Sequence, residues 1–147
     1  KERLIETIRS ISELIIYGEQ NVDQDIIFDY FCEKNMLALL TDMVKAKWSE
    51  EAVHTQIIQT IAILVQNVRN ETSLYYLLSN NYVNEIIAFQ FNLMDEELQD
   101  QYISFLKTLS LRLDVQTVQF FLDERANAFP LYECALIFLT HNETMIR

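Results

Sequence analysis

The chain has 147 residues, half of them hydrophobic and 22% charged, which suits one domain with a continuous core and weighs against a disordered chain. A single Gly and a single Pro argue against an all-β fold, whose many tight turns need φ > 0 or a fixed φ. The formal charge of −11 repels phosphate backbones and anionic lipid, so neither nucleic-acid binding nor a broad electrostatic membrane surface is expected.

Leu4, Ile8, Ile11 and Ile15 recur at helical spacing and predict a first long helix, which Gly18 is expected to stop. A short aromatic helix, Ile26 to Glu33, and a helix from Met36 to Lys47 come next. Ser49 is the expected N-cap of a second long helix, with Glu50 and Glu51 at its positive end. Its apolar stripe is Val53, Ile57, Ile61, Leu64 and Val68. Another short aromatic helix, Thr72 to Leu78, precedes a helix from Tyr82 to Phe91. Asp95, Glu96 and Glu97 open a third long helix with the stripe Leu98, Tyr102, Phe105, Leu109 and Leu113. A third short helix from about Val115 to Glu124 and a last one from Leu131 to Thr140 complete the pattern, and Asn142-Glu143-Thr144 signals a further start.

The order long, short, medium thus occurs three times. Phe28-Asp29-Tyr30-Phe31 stands 46 positions before Leu74-Tyr75-Tyr76-Leu77, which stands 44 before Val118-Gln119-Phe120-Phe121. Asn35-Met36 matches Asn81-Tyr82 in the same way. A period in the middle forties points to an all-α, armadillo/HEAT-like α-solenoid of about three three-helix repeats, each covering its neighbour's apolar face. A non-repetitive helical bundle is the alternative. No polar terminal cap is evident, so residues 1–147 are expected to be part of a longer solenoid. No apolar stretch approaches the ~20 residues that span a bilayer, so no membrane insertion is expected. The chain opens on Lys1, so a missing targeting signal says little, and a cytoplasmic location is inferred.

Tests for site chemistry give no catalytic, cofactor-binding or metal-binding residues. His54 and His141 lie in different units, with no zinc-ligand spacing, and His54 is expected on a solvated helix face. Cys32 and Cys134 sit among apolar residues and read as buried free thiols rather than a disulfide. Cys32 would need a general base nearby, and its sequence neighbours Glu33 and Lys34 point elsewhere on a helix; one Gly cannot build a phosphate loop. The acidic groups Glu50/Glu51 and Asp95/Glu96/Glu97 sit at helix N-termini, where they offset the macrodipole, and Asp123/Glu124 gives no catalytic pattern. Asn70-Glu71-Thr72 and Asn142-Glu143-Thr144 match the glycosylation pattern but read better as helix caps.

Tyr75 and Tyr76 are adjacent, so one of them must lean toward a neighbouring helix or solvent. With Asn80, Asn81 and Asn84 they could form a polar protein-binding ledge. The competing and favoured reading is an aromatic layer between repeats, with Asn capping the next helix.

Several segments carry a family resemblance: Glu6 to Ile11 leading into Tyr17 to Asn21, the run Glu71 to Asn84, Tyr102 to Leu111, Phe129-Pro130-Leu131-Tyr132, and His141 to Arg147. On these residues the chain resembles the FPL-domain family over nearly its whole length. The resemblance implies a role in endosome, lysosome and autophagy or mitophagy traffic, in the cytoplasm and peripherally on endosomes, lysosomes or Golgi. It implies protein partners: an endosomal tethering-complex subunit, a Rab small GTPase or a RING-type ubiquitin ligase. It brings no catalytic residues. In the family motif, Pro130 suits the first turn of the last helix, and the extended Phe129 lets its ring fold back over the helix start against an apolar residue such as Cys134 or Ala135. Leu131 is expected in the core. A structural role for the motif is favoured over partner binding. The main functional expectation is a non-catalytic interaction scaffold. The alternatives are an adaptor or subunit of a ubiquitin-ligase complex, and an architectural or self-association module.

Overall fold

Helices account for most of the backbone in a computed structural model of the chain, which describes residues 1–20, 24–125 and 127–139. In order they are α1 (Glu2–Gln20), α2 (Gln24–Glu33), α3 (Met36–Lys45), α4 (Glu51–Asn67), α5 (Glu71–Ser79), α6 (Tyr82–Ala88), α7 (Glu96–Leu111), a 3₁₀ turn (Val118–Phe121) and α8 (Pro130–Leu139). Among the described residues the sole β feature is an isolated bridge between Asp123 and Ala128. The fold is all-α.

The long helices form one row. α4 lies against α1 on one side and α7 on the other. Ile57, Ile58, Ile61 and Val65 of α4 are fully buried, each such side chain contributing about 1.5–3 kcal/mol relative to exposure. The medium helices form a second row, α6 touching both α3 and α8, while α5 rests on the 3₁₀ turn. α3 and α6 end alike: Ala46 and Phe89 both turn to an extended conformation with ψ of 138°. Each also donates its N–H to the carbonyl three residues back, Met43 and Ile86.

Four expectations are corrected. Gly18 does not stop α1 but lies inside it at a buried position; a glycine costs about 1 kcal/mol in a helix interior, which packing of the helix face offsets. Ser49 is not the cap of α4. Its N–H closes a turn onto the Ala46 carbonyl, and Glu50 takes the cap position in extended backbone. The third short helix shrinks to one 3₁₀ turn: Asp114 accepts from the N–H groups of Gln116 and Thr117 at 2.7 and 2.8 Å as a helix cap does, but Leu122 already turns to extended backbone with ψ of 130°. Asp123 and Ala128 then exchange backbone hydrogen bonds at 2.8 and 3.0 Å, which takes the chain out of the helical region.

The fourth correction is His54, which is buried rather than solvated. Its Nε2 meets the Val44 carbonyl at 3.0 Å, and Phe89 and Phe91 pack edge-on against its ring at 5.5 and 5.2 Å. α6 ends at Ala88 instead of reaching Phe91, and that early turn brings the two rings back onto α4. Among the described residues no helix is long and apolar enough to cross a membrane. The expected start at Asn142-Glu143-Thr144, and His141, lie outside the described residues.

Candidate functional site

α2 and α5 are not among the closely packed helix pairs, and a groove runs between them. Its widest part is an open cavity of about 430 Å³, within the range of ligand-binding clefts. Phe28, Asp29, Cys32 and Glu33 line it from α2, and Thr72, Ser73 and Tyr76 from α5. On each helix these positions follow the i, i+1, i+4 pattern of one face. A recess of about 20 Å³ continues it past Phe28 and Ser73 to Arg69 and Asn70. At the other end, a recess of about 10 Å³ shares Cys32 and Tyr76 and reaches Asn35 and Asn80.

The α5 wall is set by its caps. Asn70 Oδ1 accepts from the N–H groups of Thr72 and Ser73 at 2.9 and 3.4 Å, so Asn70 acts as a cap, as its position suggests. The adjacent tyrosines then diverge. Tyr75 turns away from the groove: its ring lies 5.7 Å from Phe120 and its hydroxyl donates to Gln116. Tyr76 is 53% exposed and faces α2.

The three asparagines separate as well. Asn80 is exposed and lines the groove end with Tyr76. Asn81 holds a left-handed conformation, φ 61°, at the start of α6. Asn84 is buried, and its Nδ2 donates to Asn81 Oδ1 and to the Phe120 carbonyl, both at 2.8 Å. Tyr76 and Asn80 therefore share the groove, whereas Tyr75 and Asn84 tie α5 and α6 to the 3₁₀ turn.

On α2, burial and then the neighbouring Asp29 carboxylate push the Cys32 thiol up to about 11. A thiol so raised is a poor nucleophile at neutral pH. Cys32 and Cys134 are both free and half-buried. Asp29 and Glu33 stand exposed, four residues apart. Lys34 makes a loose contact with Glu33 at 3.9 Å and sits 5.4 Å over the Tyr30 ring. Among the described residues no group of His, Cys, Asp or Glu could hold a metal.

The motif Phe129-Pro130-Leu131-Tyr132 lies away from this groove, at the start of α8. Pro130 is the first residue of the helix, as its missing N–H favours. Leu131 is in the core, 2% exposed. Phe129 is half-buried: its ring stacks on Tyr132 at 5.8 Å and 26°, and Tyr132 itself is largely exposed.

Sequence reasoning missed the α2 wall. Phe28 and Asp29 served there only as a repeat marker, although Phe28, Asp29, Cys32 and Glu33 fall on one helical face.

The family model for FPL, described as "Uncharacterised conserved protein", matches residues 8–147. "Protein CLEC16A" of Mus musculus is 51% identical over 144 residues, which is 98% of this chain and 14% of that protein. "Protein CLEC16A homolog" of Drosophila melanogaster is 47% identical over 145 residues, 98% of this chain and 13% of that protein. "Protein TRANSPARENT TESTA 9" of Arabidopsis thaliana is 36% identical over 150 residues, 100% of this chain and 18% of that protein. The chain thus spans less than a fifth of these relatives. No solved structure matches it.

Proposed function

The chain belongs to the FPL family, and from that premise we propose that it is a non-catalytic protein-interaction scaffold in endosome, lysosome and autophagy traffic. In this reading its two helix rows are armadillo-like layers, and residues 1–147 form one unit within a longer solenoid. The observation that carries it is the α2–α5 groove, an open cavity of about 430 Å³ beside otherwise closely packed layers, with an exposed tyrosine in its wall. Solenoids use such inter-repeat surfaces to hold segments of other proteins. The raised Cys32 thiol supports a scaffold over a thioester-forming enzyme. The family resemblance adds the classes of partner: a tethering-complex subunit, a Rab GTPase or a RING-type ligase on the cytoplasmic face of endosomes or lysosomes.

Crosslinking mass spectrometry of the full-length protein in cells tests this. Crosslinks from these residues to one trafficking partner support the scaffold. Crosslinks to other copies of the same chain alone, with a dimer by light scattering, replace it with the self-association reading.

A further inference from the structure

The groove has a chemical character that the scaffold reading leaves open. Buried Phe28 on α2 gives it an aromatic floor, and the exposed Tyr76 on α5 an aromatic wall. Its exposed lip on α2 carries Asp29 and Glu33 at i and i+4, a like-charge spacing that is unfavourable on an isolated helix. Asp29 makes no ion pair with a described residue, and Glu33 has only the loose contact with Lys34. A cation lowered between the two carboxylates relieves that repulsion. Its aliphatic stem or an aromatic neighbour then covers the floor, and an arginine also stacks well on a tyrosine face.

We propose that the α2–α5 groove docks a protein segment that places an arginine or lysine between Asp29 and Glu33, with apolar neighbours against Phe28 and Tyr76. This rests on the scaffold reading and names the chemistry of its partner. Charge complementarity selects this occupant. The chain carries −11 overall, so an acidic segment is repelled at long range as well as at the lip. A purely apolar segment leaves both carboxylates unanswered.

The test is selection of a random short-peptide library on the immobilised chain, followed by affinity measurement on variants whose melting temperatures match the parent. Asp29→Lys/Glu33→Lys reverses the lip, and Tyr76→Ala removes the aromatic wall. Glu13→Lys/Asp42→Lys makes the same change of net charge at exposed sites on α1 and α3. Selected peptides should carry Arg or Lys beside apolar residues. They should lose about tenfold or more in affinity on the lip variant and on Tyr76→Ala, and little on the control. Exchanging the peptide's cation for Glu should restore binding to the lip variant. If lip reversal unfolds the chain, Asp29→Asn/Glu33→Gln takes its place.

Peptides without a cation, or equal losses on the lip and control variants, overturn the proposal. Peptides that bind but ignore every groove change sink the groove assignment and leave the scaffold reading standing. A library that yields no binder at all counts against both.

Discussion

Asn35 and Asn81 hold the same left-handed backbone conformation, φ 50° and 61°, each one residue before a helix, α3 and α6, and 46 positions apart. With Asn127 at φ 49°, they are the described non-glycine residues at positive φ. Asparagine tolerates this region better than other residues with a Cβ. The left-handed residue swings the chain from one helix into the next, so it sets the angle between α2 and α3 and between α5 and α6.

Replacing Asn35 or Asn81 with Ala should therefore cost about 1–2 kcal/mol, while replacement with Gly should be close to neutral. Asn81→Gly also removes the oxygen that accepts from Asn84, so it should fall slightly below Asn35→Gly. Urea titration of the four single variants checks the order. Ala variants as stable as the Gly variants would mean that the corner relaxes out of the left-handed region.

The parts of this fold that are legible in the sequence are those set by local pattern. The stripe Val53, Ile57, Ile61 and Leu64 is buried as its spacing predicts, and Asp95 caps α7 through the Leu98 N–H at 2.9 Å. His54 is misread because a single-stripe view gives a helix one buried face, whereas Phe89 and Phe91 fold back onto its side of α4 and Val44 of α3 meets the imidazole. The third short helix is misread because Asp114 and Thr117 do form a helix-start cap, whereas the backbone pairing of Asp123 with Ala128 that ends the turn early leaves no local signal. The groove is illegible for a different reason. It exists because α2 and α5 stay apart, and no local pattern encodes the distance between two helices. Asp29 and Glu33 on their own look like solvated charges.

The family motif should separate by residue. Leu131→Ala removes a core side chain that is 2% exposed and should cost about 2–5 kcal/mol. Phe129 is half-buried, so Phe129→Ala should cost less than the ~3–5 kcal/mol typical of a fully buried ring. Tyr132 is 56% exposed, so Tyr132→Ala should change stability little beyond the loss of its stack on Phe129. Thermal melts rank the three. A Tyr132 variant as damaged as the Leu131 variant would place that ring against something other than solvent.

A hydroxyl pair joins the first two long helices inside the core: Ser12 Oγ and Thr60 Oγ1 lie 2.7 Å apart, both buried. Thr60 also donates to the Gln56 carbonyl at 2.9 Å. Ser12→Ala leaves Thr60 satisfied and should cost about 0.5–1.5 kcal/mol. Thr60→Val strands the Ser12 hydroxyl in an apolar setting and should cost more, about 1–3 kcal/mol. A double-mutant cycle should show coupling between the two sites. Additive losses would mean that the hydroxyls are neighbours without a shared bond.

Stability should fall on the acid side through two carboxylates. Asp114 is held below its ordinary value of 3.8 chiefly by the backbone N–H groups of Thr117 and Gln116. Glu51 is held below its ordinary 4.5 chiefly by the Asn92 side-chain amide, 2.8 Å from its oxygen. Both bind protons less readily folded than unfolded. Their contribution is therefore present above the ordinary values and is lost as pH falls through the folded ones. Melting temperature against pH should decline less steeply below pH 4.5 for Asp114→Asn/Glu51→Gln than for the parent. Parallel curves would assign the acid sensitivity to other groups.

The last prediction concerns Cys32 in the groove wall. Burial is the larger cause of its raised value of about 11, and the Asp29 charge the smaller. At pH 8 such a thiol is ionised to only about one part in a thousand, and the thiolate is the reactive form. Alkylation by iodoacetamide should therefore be far slower than for an unhindered peptide cysteine, and should speed up as pH is raised toward 11. Asp29→Asn should quicken it modestly, because removing the charge leaves the burial in place. A peptide seated over Phe28 and Tyr76 should slow it further by covering the sulfur. Mass spectrometry resolves Cys32 from Cys134 in each reaction. Rapid labelling at neutral pH, or a thioester trapped on Cys32 from charged ubiquitin-conjugating enzyme, would mean that the thiol is activated and would reopen the catalytic alternative.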